Sequence, residues 1–589
     1  MKKILSGLLA GAMLTLAAGA MAENLYTPGT YTGVGTGRHG EMTVEVTVSA
    51  DKIESINVVS ENETKGIADL PLERIPQEVV MYQSLGVDNV TGATITSAGL
   101  KLAITDALKQ AGADVDALRK VPVEKEVAPV ADMETTVVVA GGGMGGLMTA
   151  AVAAYNGLDV VLVEKLPFVG GSLIVAGGGM ITGNSEAFKE QGIDDNVEAT
   201  MAWAHEFNKG AVREPDYDFV EYVVSQTGKT VDDYYIKAFG MPSRLIMSTY
   251  PRARFGEAGD TGYGAQETAR MKEVILEHGG TILTDTAAKE IVMEDGKAVG
   301  LKVSAEGGDF EIRADKVVIA CGGANHNKEM MTAVTPQLAY MTLDDATSIG
   351  NTGDGYAMLE AVGAKMGEGP YIKSSNVMFS QVFGYSWRDV PSTTATLIFD
   401  ANGVRYMDEG VGIVANRKMI DHASPASYAL FDAATMDEKV KADFDRFAEP
   451  GSARTVVYGQ TIEEIAQKLG IDADVLSKTF DRYQTLCAKG SDPDQGKEAA
   501  QLVAYTGEAG YYAAFVQPGA WGTFGGALTD YNFRVLNAET DEPIENLYAV
   551  GECATSTLFG VDYMGSWSLG YYSTAGHIAA ETIQEELGK

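Results

Sequence analysis

Cysteine is scarce: three occur in 589 residues, too few for a disulfide framework. None sits in a C-x-x-C pair and there is no C-x-x-C-H. That excludes a c-type haem attachment and argues against zinc or iron–sulfur ligation. Cys321 and Cys553 adjoin glycine turns and read first as small buried residues, second as reactive thiols. Positive charge is also short: 45 Lys and Arg against 81 Asp and Glu leave a formal net charge of −36. Such a field repels phosphate backbones, so nucleic acid is not an expected partner. The acidic residues are spread along the chain without an acidic tail, as on a well-solvated surface. Beyond the N-terminal stretch no apolar run is long enough to span a bilayer, and no internal repeat is seen.

The N-terminal stretch itself reads as an export signal over residues 1–22. Lys2 and Lys3 precede an apolar run from Ile4 to about Ala18, and Ala20-Met21-Ala22 offers a cleavage site before Glu23. No cysteine follows the cut to carry a lipid and no twin-Arg pair is present. The mature protein is therefore expected outside the cytoplasmic membrane, periplasmic or on its extracellular face. A hydrophobic content of 45% supports two or three domains. Residues 23–118 read as a small α+β domain, with strand-like alternation at 42–48 and 53–59 and a helix-like stretch from Ser97 to Ala111. Two prolines and many charges make 119–133 a linker. From Thr135 a buried strand at 137–140, glycines, a small-residue helix and a second strand at 160–163 form a β-α-β unit. Residues 134–365 thus open a doubly wound, Rossmann-like α/β domain, which 521–589 complete. The interval 366–520 lacks the βαβ rhythm and reads as an inserted α+β capping domain.

Gly141, Gly143 and Gly146 occupy the fixed positions of G-x-G-x-x-G, directly after a strand, and Glu164 ends the next strand. Such glycines permit a tight turn and close approach to a pyrophosphate, and the acid can accept hydrogen bonds from ribose hydroxyls. Further signals are Gly170-Gly171-Ser172, a strand running into Gly322, Thr352-Gly353-Asp354-Gly355, and Leu547 to Glu552. Together these resemble the FAD-binding fold of the fumarate reductase and flavocytochrome c superfamily, which includes urocanate reductases and ketosteroid dehydrogenases. The resemblance covers about residues 134–589, and only loosely the inserted domain. It implies a non-covalent FAD held by these residues and Ser568, with Asp354 and Glu552 near the flavin or its ribityl and phosphate region. Separately, Asp88-Asn-Val-Thr-Gly-Ala-Thr94 resembles the flavinylation motif D-x-x-[ST]-G-A-[ST] of FMN-binding domains. That implies FMN joined covalently through its phosphate to Thr94 by a flavin transferase, with Thr96 the second choice. Pro28 to Gly33 and Glu63-Thr64 resemble other pieces of such domains.

The chain departs from the family around the substrate. The family's G-A-N-R-L-G-G-N appears as Gly560-Val-Asp-Tyr-Met-Gly-Ser-Trp567, so Tyr563 replaces a carboxylate-gripping arginine. H-H-T-M-G-G becomes Trp521-Gly-Thr-Phe-Gly-Gly526, and Y-I-x-x-H ends on Ser375. These losses argue against fumarate and weaken the case for urocanate. Trp521, Phe524, Tyr563 and Trp567 suit a flatter, less charged molecule such as an aryl-acrylate, an enone or a steroid-like compound, with plain core packing as the alternative. The family's proton-donating arginine beyond R-F-x-N-E falls here, after Arg405-Tyr-Met-Asp-Glu409, on Ile413. Arg417 or Tyr563 is the expected proton donor, with Arg388 and Asp389 as relay candidates. The resulting expectation is an ene-reductase of anaerobic respiration, supplied by a membrane-associated electron donor through FMN. A flavin dehydrogenase of a saturated ketone or acid is the alternative, and a non-catalytic flavin carrier is the third reading.

Overall fold

The computed structural model describes residues 25–589 apart from 126, 210, 212, 248–249, 260–261, 342, 346, 380–394, 411, 449–455 and 561–562. The expected signal segment, Arg388 and Asp389 lie outside the described residues. The chain forms two compact units, one of residues up to 63 plus 68–125, the other of 64–67 plus 126–589.

The first unit is α+β. Strands Gly29–Thr36, Glu41–Val48 and Ile53–Ser60 form an antiparallel meander. The middle strand buries Met42, Val44, Val46 and Val48 and turns Glu41 and Glu45 outward, the period-two pattern of a half-buried strand. Helices Asp69–Tyr82 and Thr94–Gln110 close the core with Ile75, Val79, Leu100 and Ile104. The second helix lies so close to the sheet that a Cβ at Gly33 would strike the backbone of Ala103 and Ala107. Seven residues expected in the linker pack with this unit. The hydroxyl of Ser84 donates to the carbonyls of Leu118 (3.3 Å) and Val121 (2.8 Å), and Val123 covers the core. A proline- and charge-rich segment can still be ordered when its backbone finds partners.

In the second unit an eight-stranded sheet runs Ala287–Glu294, Lys297–Ala305, Gly308–Ile319, Met133–Ala140, Val160–Val163, Thr281–Leu283, with Pro543–Ala549 and Arg534–Leu536 branching from Gly308–Ile319. Its centre is parallel: Val138 faces Val317 and Val161, and Val318 faces Tyr548. Residues 137–140 and 160–163 are buried throughout because both faces of the sheet are covered. Helix Met144–Tyr155 packs on the last helix, Trp567–Glu586, where a Cβ at Gly576 would meet the Gly145 carbonyl. A small antiparallel sheet of Met180–Ile181, Ser243–Met247 and Pro251–Phe255 lies in the same unit. The inserted region builds a six-stranded sheet on one long strand, Tyr511–Phe524, which pairs with Tyr371–Phe379, Ser427–Asp432 and Val456–Gly459. This strand runs past the expected boundary at 520 and carries Trp521 and Phe524. Arg405 is an anchor of that region: it reaches Glu409 at 2.7 Å and Asp492 at 2.8 Å, all three side chains being buried. Among the described residues, no helix is long and apolar enough to cross a membrane.

Candidate flavin sites

A cavity of about 500 Å³ opens at the carboxyl ends of the parallel strands, where ligands of such sheets bind. Gly141 has φ 103° and a Cβ there would meet the Ala320 carbonyl, so the turn tolerates glycine alone. A Cβ at Gly146 would meet the Gly141 carbonyl, so its absence lets helix Met144–Tyr155 sit on the strand end. At Gly143, which lines the cavity, a Cβ would meet nothing within 4 Å. Its bare backbone leaves open space beside the helix N-terminus, as a pyrophosphate requires. Glu164 is fixed by the N–H groups of Gly142 and Leu166, each at 2.8 Å, and burial pushes its carboxyl above the usual range. Across the cavity Lys165 bonds Asp354 at 2.6 Å and Thr352 at 2.5 Å. Gly170 and Gly171, both at positive φ, turn the chain so that the Ser172 hydroxyl accepts from the Ser348 N–H at 3.0 Å. Gly322, also at positive φ, completes that wall. An acid for a ribose, a helix N-terminus for a diphosphate and glycine walls fit FAD.

The far end of the cavity is built from residues that lie far apart in the chain. Lys373, on strand Tyr371–Phe379, is buried, with its ammonium 2.5 Å from Glu552, 3.0 Å from the Tyr572 hydroxyl and 3.4 Å from Ser568. Tyr563 lies beside it, its ring 5.7 Å from the Lys373 ammonium and edge-on to Trp521 at 5.5 Å. Burial raises the Tyr563 phenol to about 12, against which a hydrogen bond with Ser568 works. Strand Pro251–Phe255 turns Ala253 and Phe255 into the core and lines the cavity with Arg252 and Arg254.

Of the residues expected from sequence, Gly141, Gly143, Glu164, Gly171, Ser172, Gly322, Asp354, Trp521, Glu552, Tyr563 and Ser568 line this one cavity. Gly146 and Gly170 shape turns behind it. Phe524 stacks on Phe559 at 4.5 Å and Trp567 on Trp203 at 6.0 Å, both buried in the core rather than lining the cavity. Arg417 sits half-buried on helix Gly412–His422 and is not among the lining residues. The backbone of Ser375 continues the Lys373 strand, while its side chain is outside the described part. Lys373, Arg252, Arg254 and Tyr572 also line the cavity, and no motif in the sequence marks them. Lys373 stood two residues before the missing histidine, and Arg-Ala-Arg-Phe carried a strand alternation with charges on one face.

In the first unit Thr94 is exposed at the start of helix Thr94–Gln110, after Gly92 at φ 85°. The turn before it is tied by Ser97, whose hydroxyl accepts from the Val90 N–H at 3.1 Å and donates to the Ala93 carbonyl at 2.8 Å. Thr96 is buried and its hydroxyl is hydrogen-bonded to Glu63. The reachable hydroxyl is thus Thr94, at a helix end that favours a phosphate.

Residues 136–569 match the model of the FAD-binding domain family, and residues 37–109 that of the FMN-binding domain. A urocanate reductase of Eggerthella lenta is 29% identical over 95% of this chain and 93% of its own length. An NADH:acrylate oxidoreductase of Vibrio harveyi is 27% identical over 95% of this chain, which spans 61% of that protein. Among solved structures, the open conformation of a flavocytochrome c3 fumarate reductase superposes with a TM-score of 0.64 at 24% identity, over 78% of this chain and 79% of that one.

Proposed function

The chain belongs to the FAD-binding domain family, and from that premise we propose that it is an exported two-flavin reductase of a carbon–carbon double bond. The observation that carries the reading is the far end of the cavity, where a buried phenol, Tyr563, and a buried ammonium, Lys373, meet. A simple electron carrier needs no such chamber. The relatives named for urocanate and acrylate support the same reaction class. FAD, when bound, supplies a hydride to one alkene carbon. Tyr563 is held protonated at neutral pH by burial and delivers the proton, or polarises a conjugated carbonyl. Of the two donors expected from sequence, Tyr563 lines the cavity and Arg417 does not, which favours Tyr563. Trp521 gives a flat apolar wall. In the first unit Thr94 holds FMN through a phosphoester, whose one-electron chemistry suits an entry point for electrons from a membrane-associated donor. A flavin transferase makes that bond, and export explains why a covalent tether is useful.

The test is to express the protein with a flavin transferase and screen unsaturated acids, enones and steroids anaerobically with reduced methyl viologen. Oxidation of the dye by one class is the expected result. Dye reduction by a saturated ketone, with no alkene turned over, would make the enzyme a dehydrogenase.

A further inference from the structure

A buried ion pair is rarely worth its desolvation to a fold, since well-packed apolar residues of the same volume stabilise as much or more. This chain nevertheless makes room for one at the cavity. Gly522 has φ 133°, and a Cβ there would strike Glu552 Oε1 and fall 2.7 Å from Lys373 Nζ. Strand Tyr511–Phe524 thus keeps a glycine where the pair is seated. The Lys373 ammonium has three protons and three acceptors: Glu552 Oε1 at 2.5 Å, the Tyr572 hydroxyl at 3.0 Å and Ser568 Oγ at 3.4 Å. The Tyr572 hydroxyl in turn donates to Glu552 Oε1 at 3.2 Å.

Ser568 joins this cluster to Tyr563. The phenol oxygen has two described partners, the Ser568 hydroxyl and the Ser566 N–H. Of these two, the hydroxyl is the one that can give up a proton and regain another. Its oxygen accepts from Lys373, which has donors and no acceptor, so its own proton is free to turn to the phenol oxygen. The donor direction therefore runs from Lys373 to Ser568 to Tyr563. Tyr563 is 9% exposed and Lys373 3%, so a molecule filling the cavity leaves both shielded from bulk water.

Resting on the reductase reading with Tyr563 as proton donor, we infer that Lys373 returns the proton to Tyr563 through Ser568 after each turnover. As the second C–H bond of the product forms, the phenol O–H bond breaks and leaves a phenolate. The phenolate takes the Ser568 proton, and Ser568 takes one from the Lys373 ammonium. The neutral amine left against Glu552 regains its proton from water once the product leaves. One proton is drawn from water per double bond reduced, and both electrons arrive with the hydride. Lys373 touches neither reacting carbon and acts through Tyr563. Arginine would keep the ion pair with Glu552 but would not release a proton, which separates a relay from an anchor.

The test compares the flavin-loaded parent with Lys373→Met, Lys373→Arg and Tyr563→Phe, FAD per chain being read by absorbance. The probe is whichever of cinnamate, benzalacetone and a 3-ketosteroid enone the parent reduces fastest. Two rates are followed: reoxidation of the reduced protein by one equivalent of probe, and steady-state oxidation of reduced methyl viologen. The first turnover uses the proton Tyr563 already holds, and later ones need its return. Both lysine variants are expected to keep the first-turnover rate within about threefold and to lose steady-state kcat about 100-fold. Methylammonium should restore part of that kcat in Lys373→Met, and Tyr563→Phe should lose both rates. Normal kcat in Lys373→Arg overturns the inference, as does a first-turnover rate that falls in step with kcat; either makes Lys373 an anchor. If Lys373→Met alone fails to hold FAD, Lys373→Arg decides, and loss of FAD from both overturns the inference. An unchanged first turnover in Tyr563→Phe overturns it by removing the group served and leaves the reductase reading standing. If the parent reduces none of the probes, the reductase reading fails and the inference with it.

Discussion

Glu267 is 1% exposed, and among the described residues the Tyr235 hydroxyl donates to its Oε2 at 3.2 Å. Burial raises its carboxyl from an ordinary 4.5 to about 8. Below 4.5 folded and unfolded states both hold the proton. Between 4.5 and 8 the unfolded chain ionises while the folded one does not, so stability falls by about 1.4 kcal/mol per pH unit over that window. Glu267→Gln should therefore unfold at the same denaturant concentration as the parent at pH 4.5, and at a clearly higher one at pH 8. Parallel behaviour across the range would mean that this carboxyl is ionised in the fold. Thr94 and Thr96 differ in the same residue-level way. Thr94→Ala should lose in-gel flavin fluorescence under denaturing conditions, whereas Thr96→Val should keep it and lose roughly 1–2 kcal/mol of stability with its Glu63 bond. Fluorescence retained in the first variant would move the attachment site.

At the scale of elements, the glycine turn before helix Met144–Tyr155 separates two roles that one motif merges. A Cβ at Gly146 collides with backbone, while one at Gly143 projects into open cavity. Gly146→Ala should destabilise the protein by at least ~2 kcal/mol. Gly143→Ala should melt normally without flavin yet bind FAD roughly tenfold more weakly or worse. Thermal melts of the apo forms with FAD titration distinguish them, and identical behaviour would remove the distinction. Long strand Tyr511–Phe524 shows a second element-level effect. Its first residues pair within the capping sheet and its last carry Trp521 to the cavity, so a domain boundary drawn at 520 cuts a single strand.

Over the whole molecule, a net charge of −36 makes self-repulsion a term of the fold rather than of any pair. Raising salt from about 10 to about 300 mM should raise the melting temperature by a few degrees. A fall instead would show that partly buried pairs, such as Lys316–Glu586 and Lys229–Glu581, outweigh the repulsion. The charges are not evenly placed: among the described residues Arg252, Arg254, Lys165 and Lys373 all line one cavity of a strongly acidic chain.

What the sequence determined by itself was everything carried by short spacing. Gly141 to Glu164 is one strand–turn–helix–strand unit, and Asp88 to Thr94 one turn and helix start; each is specified by neighbours in the chain. The α/β class and the two flavin cradles followed from them. The tertiary structure alone decided who meets at the chamber. Arg252, Lys373, Glu552 and Tyr563 come from four separate segments, and no local periodicity encodes their meeting. It also kept Phe524 and Trp567 within the core while bringing Trp521 and Tyr563, aromatic like them, to the cavity wall. Composition gives a ring or a charge its preference for burial, but its orientation is set by close packing against residues hundreds of positions away.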